Sequence, residues 1–280
     1  MDALEKGLYI ISTPIGNLGD ISIRAKNTLN MVDYIICENP FHSLKLLNKL
    51  GIKKKMFSLH DYNEEILIKR IEKYQLSCSI ALISDAGAPL ISDPGYKLVH
   101  DYIKKNIMIT TIPGPSSIVS ALQLSGLPIN NFKFLGFIPK SKIAVNSLLK
   151  EIENTQSTSV LFLSGNRLLD LLNFLLEKKI NRALSICKEM TKKNELVFRG
   201  KPSKVIKYIN LKSNFLKGEF VLLIAGKEKK SKTTLSITIQ TQMLILLKKY
   251  SLTEVVNIVH KLTNLSKKEI YKNALMLKND

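Results

Sequence analysis

Three loops rich in Gly, Pro, Ser and Asp carry the residues of this 280-residue chain that are best suited to bind a ligand. They span residues 13–20 (TPIGNLGD), 84–95 (SDAGAPLISDPG) and 113–117 (PGPSS), and each follows a short apolar run. A tight turn between strands needs about two to five residues, so the second loop is too long to be only a turn. Alone, each loop could be a connection. Together they indicate a ligand site.

The residue types in these loops indicate what the ligand would be. Gly87 lets main-chain N–H and C=O groups approach a ligand closely. Ser116 and Ser117 stand at a predicted helix start, where free N–H groups and the positive end of the helix dipole favour a carboxylate or phosphate. Asp85 could accept hydrogen bonds from an ammonium group or from ribose hydroxyls. A ligand with an amino-acid end and a nucleoside end suits this mixture, and S-adenosylmethionine is one such ligand.

Several other kinds of site are not indicated. The sequence has neither GxGxxG nor GxxxxGK[ST], and it lacks the GxSxG elbow of serine hydrolases. The four histidines and three cysteines lie far apart without metal-ligand spacing, so we expect no metal. Glu38, at the end of the second predicted strand, is better placed than most acids to accept a proton, and the alternative is an ordinary solvated acid at a strand end. Glu189 and Met190 follow a later strand, and they either reach a cleft between domains or merely end that strand.

The elements between the loops alternate between β-rich runs and helical patterns. We predict strands at 8–11, 33–37, 56–57, 79–83 and 107–112, and helices over 21–31, 43–50, from 63, over 96–104 and over 117–124. The side chain of Asn63 is the predicted cap of its helix. This alternation predicts a mostly parallel sheet with helices on both faces, whose carboxyl edge holds the ligand.

The break FKFLGFIPKSK at 132–142 marks a predicted domain boundary. We therefore expect an α/β domain at 1–131, a second α/β domain at 132–226, and a charged linker with a helical module at 227–280. In that module Ser251 and Ser266 each precede a Glu by three positions, which is the pattern of a capping box. Its basic amphipathic helices suit docking, nucleic-acid binding or dimerisation, and the sequence does not choose among them.

The amino-acid composition indicates which binding partners and which cellular compartment suit the chain. The net charge of +19 favours a polyanion such as nucleic acid. Lys greatly outnumbers Arg, however, and Lys enrichment is also what an AT-rich genome gives any protein. Sparse, unpaired cysteines fit a reduced cytoplasmic protein. No apolar run approaches the roughly 20 residues that span a bilayer, so we expect no membrane partner.

Seven motifs run in order along nearly the whole chain. They are TPIGNLGDIS (13–22), HDYNEE (60–65), ALISDAGAPLISDPGYKLV (81–99), IPGPSS (112–117), GFIPK (136–140), KEMTK (188–192) and KGEFVLLI (217–224). Together they resemble the tetrapyrrole-methylase superfamily of S-adenosylmethionine-dependent enzymes. More narrowly, they resemble the branch that 2′-O-methylates a cytidine in the decoding region of small-subunit (16S) rRNA.

The resemblance implies a two-domain α/β fold of the tetrapyrrole-methylase type, with a mostly parallel N-terminal sheet, a mixed second sheet and a small C-terminal helical module. It also implies a homodimer, S-adenosylmethionine in the cleft between the domains, and small-subunit rRNA or the small ribosomal subunit as partner. The implied cofactor-binding residues are Pro14, Gly16, Ser84, Asp85, Ala86, Gly87, Ser116, Ser117, Glu189 and Met190. Our hypothesis for the general base is Glu38.

The chain departs from the family pattern where a substrate would be handled. After the second strand that pattern reads Glu-Asp-Thr-Arg, whereas this chain has Glu38-Asn39-Pro40-Phe41. Ala88 stands where Thr is expected. Two other functions therefore stay open: methylation of a small tetrapyrrole, and non-catalytic ribosome binding by a chain whose substrate loop has decayed. The basic charge and the added helices speak against the tetrapyrrole substrate.

Overall fold

The structure, a computed structural model, describes residues 4–212, 215–228, 237–263 and 265–279. Its contacts divide the chain into two compact units, Met1–Gly226 and Lys227–Asp280. The first unit contains both sheets, and the predicted boundary between 131 and 132 lies inside it. Most of the predicted linker at 227–232 lies outside the described residues.

The first sheet contains five parallel strands in the order β3-β2-β4-β1-β5. The strands are β1 (Gly7–Ile11), β2 (Tyr34–Cys37), β3 (Lys55–Ser58), β4 (Ser79–Ile83) and β5 (Ile109–Ile112). Because all five run the same way, the loops that follow them meet at one carboxyl edge. The parallel sheet expected from the alternation of elements is thus confirmed.

Five helices accompany these strands: α1 (Ile23–Met31), α2 (Pro40–Lys49), α3 (Glu64–Gln75), α4 (Tyr96–Lys104) and α5 (Ser117–Ser125). Alternate residues of the strands feed two separate cores. Tyr9 and Ile11 pack in the core that contains Leu29 of α1. Leu8 packs in the opposite core, with Tyr102 of α4. Helices therefore cover both faces of the sheet, as predicted.

Two helix starts and one helix cap differ from the predictions. Helix α1 begins at Ile23, two residues later than predicted, with Ser22 as its cap. Helix α2 begins at Pro40 rather than at 43, because the side chain of Asn39 accepts hydrogen bonds from the N–H groups of Phe41 and His42. Proline then suits the first helical position, where no N–H partner is needed. Asn63 precedes α3 but does not cap it: its Oδ1 accepts from the N–H of His60 at 2.8 Å, which closes the preceding turn instead.

The second sheet is mixed, in the order β6-β7-β10-β8-β9. Its strands are β6 (Phe132–Phe137), β7 (Thr158–Ser164), β8 (Leu184–Lys188), β9 (Leu196–Gly200) and β10 (Glu219–Ile224). Only the β6–β7 pair is parallel. The segment that looked like a break contains β6, and Gly136 falls within its register shift at a φ of +69°. Gly136, which interrupts the pattern of elements in the sequence, thus lies in a β-bulge of this strand.

Helix α5 connects the two sheets of the first unit. Helices α6 (Lys142–Asn154), α7 (Gly165–Glu177) and α8 (Pro202–Asn210) belong to the second half of that unit, and their apolar residues share one core with the second sheet. A different core joins Ala121 and Leu122 of α5 to Val160, Val221 and Leu223 of that sheet. This contact brings the carboxyl edge of the first sheet next to the second sheet.

The second unit is a three-helix module of α9 (Ile237–Leu247), α10 (Leu252–Leu262) and α11 (Lys267–Asn279). Met243, Val255 and Ile270 are among the residues of its core. Both predicted capping boxes are present: Ser251 pairs with Glu254 before α10, and Ser266 pairs with Glu269 before α11. Across the part of the chain that the structure describes, no helix is both long and apolar enough to cross a membrane.

Candidate active site

A cleft of about 270 Å³ lies within the first unit, between the carboxyl-edge loops of the first sheet and the strands of the second. One wall consists of loop residues from the first sheet and the start of α5. The other wall consists mainly of side chains from the second sheet. Its lining comprises Ile15, Asp85, Ala86, Gly87, Ala88, Ile91, Ser92, Asp93, Ser116, Ser117, Ile118, Phe137, Phe162, Leu163, Cys187, Glu189, Met190, Glu219, Phe220 and Val221.

The first two loops are hydrogen-bonded to each other. The N–H of Thr13 donates to the carbonyl of Gly87 at 2.8 Å, and the N–H of Gly87 donates back to Thr13 at 3.1 Å. The hydroxyl of buried Ser84 donates to the same Gly87 carbonyl, and the Thr13 hydroxyl donates to the carbonyl of Ser84. Gly87 has a φ of +84°, a conformation that glycine adopts without steric cost. The backbone at Ala86–Gly87 is therefore held firmly against the cleft.

A leucine anchors the long loop to the core, which explains its length and stiffness. Leu90 adopts a φ of +73° and, partly buried, packs against the core that contains Leu82 and Leu98. Gly95 makes room for it, because a Cβ at Gly95 would lie 2.7 Å from Leu90 Cδ2. A leucine in the left-handed region is uncommon and persists only where its surroundings hold it. The loop thus leaves the core at Ser84 and returns to it at Leu90. Residues 85–88, before Leu90, and 91–93, after it, line the cleft.

The start of α5 presents N–H groups to the cleft. Ser116 has extended backbone at the N-cap position, yet its side chain makes no capping hydrogen bond. The first-turn N–H groups of a helix have no partner within the helix, so a ligand can use them. Ser116 and Ser117 both line the cleft. This end of the site suits a carboxylate.

Asp85 offers the opposite chemistry on the same wall. Among the described residues its Oδ1 is buried and has no hydrogen-bond partner. A buried acceptor without a donor is costly, so its pairing is expected to come from a ligand. An ammonium group or ribose hydroxyls would satisfy it. Together with the backbone at Gly87 and the α5 terminus, this atom fits a ligand that carries an amino acid and a nucleoside.

The wall formed by the second sheet is largely apolar. The rings of Phe137 and Phe162 meet edge to face, 5.4 Å between centroids, and Val221 and Met190 lie alongside. Burial raises the pKa of the Cys187 thiol to about 11, so this thiol is neutral and acts as apolar lining rather than as a nucleophile. Such a surface suits the flat face of a nucleobase.

Glu189 shapes the turn that closes this wall. Its carboxylate accepts from the N–H of Glu219 at 2.8 Å and from Lys192 Nζ at 3.2 Å. The backbone donor at Glu219 is the main reason that the pKa of Glu189 lies below its usual value. The turn also packs against the first loop, since a Cβ at Gly16 would lie 3.0 Å from the carbonyl oxygen of Met190.

Two further acids lie near the polar wall, and only one of them lines the cleft. Burial, followed by the charge of Glu38, raises the pKa of Asp93 to about 6, although a hydrogen bond with Ser84 acts in the opposite direction. Partial burial, followed by the charges of Asp85 and Asp61, raises the pKa of Glu38 as well. Asp93 lines the cleft and Glu38 does not.

The structure brings together seven of the eleven residues expected from the sequence. Asp85, Ala86, Gly87, Ser116, Ser117, Glu189 and Met190 line one cleft. The others do not line it: Ser84 holds the backbone of Gly87, Gly16 packs on the Met190 turn, Pro14 lies between Thr13 and the lining residue Ile15, and Glu38 lies at the end of β2.

Sequence reasoning missed Asp93 and the apolar wall. A signal for Asp93 was available, because it belongs to the second Ser-Asp pair of the same long loop. For Phe137, Phe162 and Val221 no comparable signal exists, since an apolar residue on a strand reads as core. Among the described residues, no group of three or more His, Cys, Asp or Glu side chains is arranged to hold a metal ion.

Comparison with known proteins identifies a family. Residues 7–205 match the family described as Tetrapyrrole (Corrin/Porphyrin) Methylases. Among similar curated proteins, a Buchnera aphidicola subsp. Schizaphis graminum protein is 36% identical, with both chains fully covered. One from Vibrio cholerae is 37% identical over 96% of this chain and 94% of its own length. One from Halalkalibacterium halodurans is 41% identical over 81% of this chain and 78% of its own. All three are named "Ribosomal RNA small subunit methyltransferase I".

A solved structure of a uroporphyrin-III-C-methyltransferase from Thermus thermophilus superposes with a TM-score of 0.56. The alignment covers 79% of this chain and 94% of that one, at 17% sequence identity. At this level of identity the likeness concerns the fold alone.

Proposed function

The chain belongs to the tetrapyrrole methylase family, and from that premise we propose that it is an rRNA methyltransferase that uses S-adenosylmethionine. In its finer form, the proposal is 2′-O-methylation of a cytidine ribose in the decoding region of small-subunit rRNA. The observation that carries it is the cleft, where a buried unpaired carboxylate oxygen, an uncapped helix start and an apolar wall converge. The curated relatives named for small-subunit rRNA methylation support the RNA substrate.

The polar wall would hold the cofactor's charged groups. The first-turn N–H groups after Ser116 suit its carboxylate, and Asp85 suits its ammonium group or its ribose hydroxyls. The backbone at Gly87 allows close approach because no Cβ intervenes. The apolar wall of Phe137, Phe162 and Val221 would cover the adenine ring.

When bound, S-adenosylmethionine supplies an electrophilic methyl group on its sulfonium sulfur. The protein's task is then to place a ribose hydroxyl in line with that methyl and to help remove the hydroxyl proton. Holding two reactants in this way can contribute roughly 7–11 kcal/mol to the acceleration. Shielding by the walls of the cleft keeps water from competing with the ribose.

Asp93 is better placed than Glu38 to take the proton. It lines the cleft, and a pKa of about 6 leaves it mostly ionised at neutral pH while making it a stronger base than an ordinary aspartate. Glu38, our hypothesis from the sequence, lies outside the lining and is close enough for its charge to raise the pKa of Asp93. We propose that Asp93 accepts the proton of the ribose hydroxyl and that Glu38 contributes through its charge, which raises the pKa of Asp93.

The remaining parts of the proposal concern partners and compartment. The charge of +19 suits a small ribosomal subunit or its rRNA. We also propose a homodimer and a cytoplasmic location, as the resemblance to the family implies.

Methyl transfer to small ribosomal subunits tests the proposal directly. Subunits are purified from a strain that lacks the gene, incubated with the protein and labelled S-adenosylmethionine, and the modified nucleotide is mapped. We expect one 2′-O-methylated cytidine in the decoding region. Methylation elsewhere in the rRNA would refute the finer proposal, and label in a porphyrin or corrinoid precursor with unlabelled RNA would refute the RNA substrate.

A calorimetric titration with S-adenosylmethionine distinguishes an enzyme from a non-catalytic ribosome-binding protein. A non-catalytic ribosome-binding protein with a decayed site would bind subunits but would give no heat with the cofactor. We expect a single cofactor site per chain.

A further inference from the structure

The most exposed aromatic side chains of the described residues share one location. Tyr62 is 95% exposed, Phe41 82% and Tyr96 76%, whereas no other described aromatic side chain exceeds 63%. Aromatic rings carry a large apolar surface that folding normally buries. Three rings left in solvent at one place therefore indicate a surface that binds something.

All three rings follow strands that are neighbours in the first sheet. Phe41 lies in the first turn of α2, just after β2, and Tyr62 lies in the turn between β3 and α3. Tyr96 is the first residue of α4, directly after the long loop that follows β4. Since the order of these strands is β3-β2-β4, the rings line the same carboxyl edge as the cleft. We call Phe41, Tyr62 and Tyr96 the aromatic rim.

The backbone beneath the aromatic rim is well anchored. The side chain of Asn39 accepts from the N–H of Phe41 at 3.0 Å. Helices α3 and α4 are joined at their starts, where Glu64 Oε1 accepts from the N–H of Leu98 at 2.8 Å. Tyr96 also stacks on His100, with ring planes 6° apart and centroids 6.0 Å apart. Rings on a fixed backbone lose little conformational entropy when a flat partner stacks on them.

The charge at this edge limits what the partner can be. Glu38, Asp61, Asp85 and Asp93 lie close enough to one another that the charges of Asp61 and Asp85 raise the pKa of Glu38, and that of Glu38 raises the pKa of Asp93. Phosphate groups are repelled from such a surface even though the chain as a whole is strongly basic. The bases of an unpaired RNA strand carry no charge, and aromatic rings are the usual platform on which proteins stack them.

We propose that the aromatic rim of Phe41, Tyr62 and Tyr96 stacks unpaired bases of the RNA substrate beside the methylation cleft. The proposal rests on the proposed function, because it takes an RNA substrate as given. It also accounts for the departure at Phe41, which stands where the family pattern has Arg. A cationic side chain in that pattern is thus an aromatic ring in this chain.

Leucine substitutions test the aromatic rim, because leucine keeps an apolar side chain but has no ring face. Phe41→Leu, Tyr62→Leu and Tyr96→Leu are compared with wild type for binding and methylation of small subunits from a strain that lacks the gene. The matched control is Leu76→Ala with Ile103→Ala. These residues are 76% and 61% exposed and lie at or near the opposite ends of α3 and α4.

We expect each leucine variant to weaken subunit binding and raise KM about tenfold, and the matching Tyr→Phe variants to restore both. Affinity for S-adenosylmethionine should stay unchanged. The slope of log Kd against log salt concentration should also stay at the wild-type value, because stacking releases no counterions from phosphates. The control pair should bind and react like wild type.

Three results would overturn the proposal. Leucine variants with wild-type KM would remove the aromatic rim from RNA recognition while leaving the proposed function intact. A flatter salt slope in those variants would mean that the residues act through phosphates. A loss of binding that tracks dissociation of a dimer by ultracentrifugation would assign the surface to a second copy of the chain. If wild-type protein transfers no methyl group to subunits, the proposed function itself fails.

Discussion

The two walls of the cleft are built in different ways. The wall from the first sheet consists of loop backbone and polar side chains, with Asp85, Gly87 and Ser116 held by hydrogen bonds and a helix terminus. The wall from the second sheet consists of apolar side chains on strands, with Phe162 and Val221 held by the sheet itself. The polar wall can fix orientation and take part in proton transfer. The apolar side chains of the second wall contribute contact area and exclusion of water.

This difference predicts separable effects of mutation. Loss of a polar-wall carboxylate should alter turnover and its pH profile, whereas changes in the apolar wall should alter only cofactor affinity, by the area lost, and leave the pH profile unchanged. If both walls responded alike, the division of labour between them would be wrong.

The largest expected effect is on turnover. Asp93→Asn should lower kcat by about 100-fold or more, because a general base typically contributes 10²–10⁴. Its affinity for S-adenosylmethionine should change little. Wild-type kcat should fall as the pH drops below about 6, where Asp93 gains a proton and can no longer accept one. Single-turnover kinetics across pH measure the loss of turnover in the variant and the fall in wild-type turnover at low pH.

Glu38→Gln is the matched control for that substitution. It removes a carboxylate that does not line the cleft, so we expect a loss of only a few-fold in turnover and near-normal cofactor affinity. Because the charge of Glu38 raises the pKa of Asp93, the acid limb of the pH profile should move to lower pH in this variant. Equal losses in the two variants would contradict the assignment of the proton to Asp93.

The next effect is on cofactor binding through the backbone. Gly87→Ala places a Cβ 3.2 Å from Ile15 Cγ2 in a residue with a φ of +84°, so the loop must shift. We expect S-adenosylmethionine to bind about 30-fold more weakly, which corresponds to roughly 2 kcal/mol. Calorimetry measures the change.

Gly51→Ala provides the control for strain. Gly51 has a similar φ of +73°, but a Cβ there meets nothing within 4 Å. Both variants should lose about 1–2 kcal/mol of stability from the left-handed backbone, and only Gly87→Ala should lose cofactor affinity. Weaker binding in both would show that global destabilisation is the cause.

A smaller effect is expected at the apolar wall. Phe137→Ala should weaken S-adenosylmethionine binding about tenfold by removing ring contact area, without changing the pH profile of turnover. Phe132→Ala is the control, since this ring begins the same strand and does not line the cleft. A change in the acid limb of the profile for Phe137→Ala would show that the apolar wall also tunes proton transfer.

The smallest effect concerns stability. The fold raises the pKa of Asp93. Between about pH 4 and pH 6, Asp93 is therefore still protonated in the folded protein but already ionised in the unfolded chain. Stability from this group is therefore present at low pH and is lost as the pH rises through 6. Asp93→Asn cannot ionise, so its Tm should exceed that of wild type by a few degrees at pH 7.5 and match it near pH 4. A Tm below wild type at pH 7.5 would contradict the sign.

The polar wall was largely predictable from the sequence and the apolar wall was not. Loops that follow parallel strands share an edge, so residues such as Asp85 and Ser117 could be placed together from the element pattern alone. The second Ser-Asp pair of the long loop shows Asp93 in the sequence, but no local pattern reports the burial that raises its pKa. The ring of Phe162 could not be told from core, since strand position alone does not say which face of the second sheet remains open to a cleft.

The same reasoning explains the errors in the fold. Asn39-Pro40 looked like a loop, yet an asparagine cap followed by proline is also a helix start. Gly136 interrupts the alternation of elements in the sequence, and in the structure it lies in a bulge inside β6. In both cases the local residue type allowed two structures, and tertiary packing selected one.

Amide hydrogen exchange with and without S-adenosylmethionine tests the two-walled cleft most directly. At saturating cofactor we predict slower exchange in residues 84–93 and 116–119 on the polar wall and in residues 187–190 at the edge of the apolar wall, with no change in segments that do not line the cleft. Protection confined to one wall, or located away from the cleft, would contradict the account.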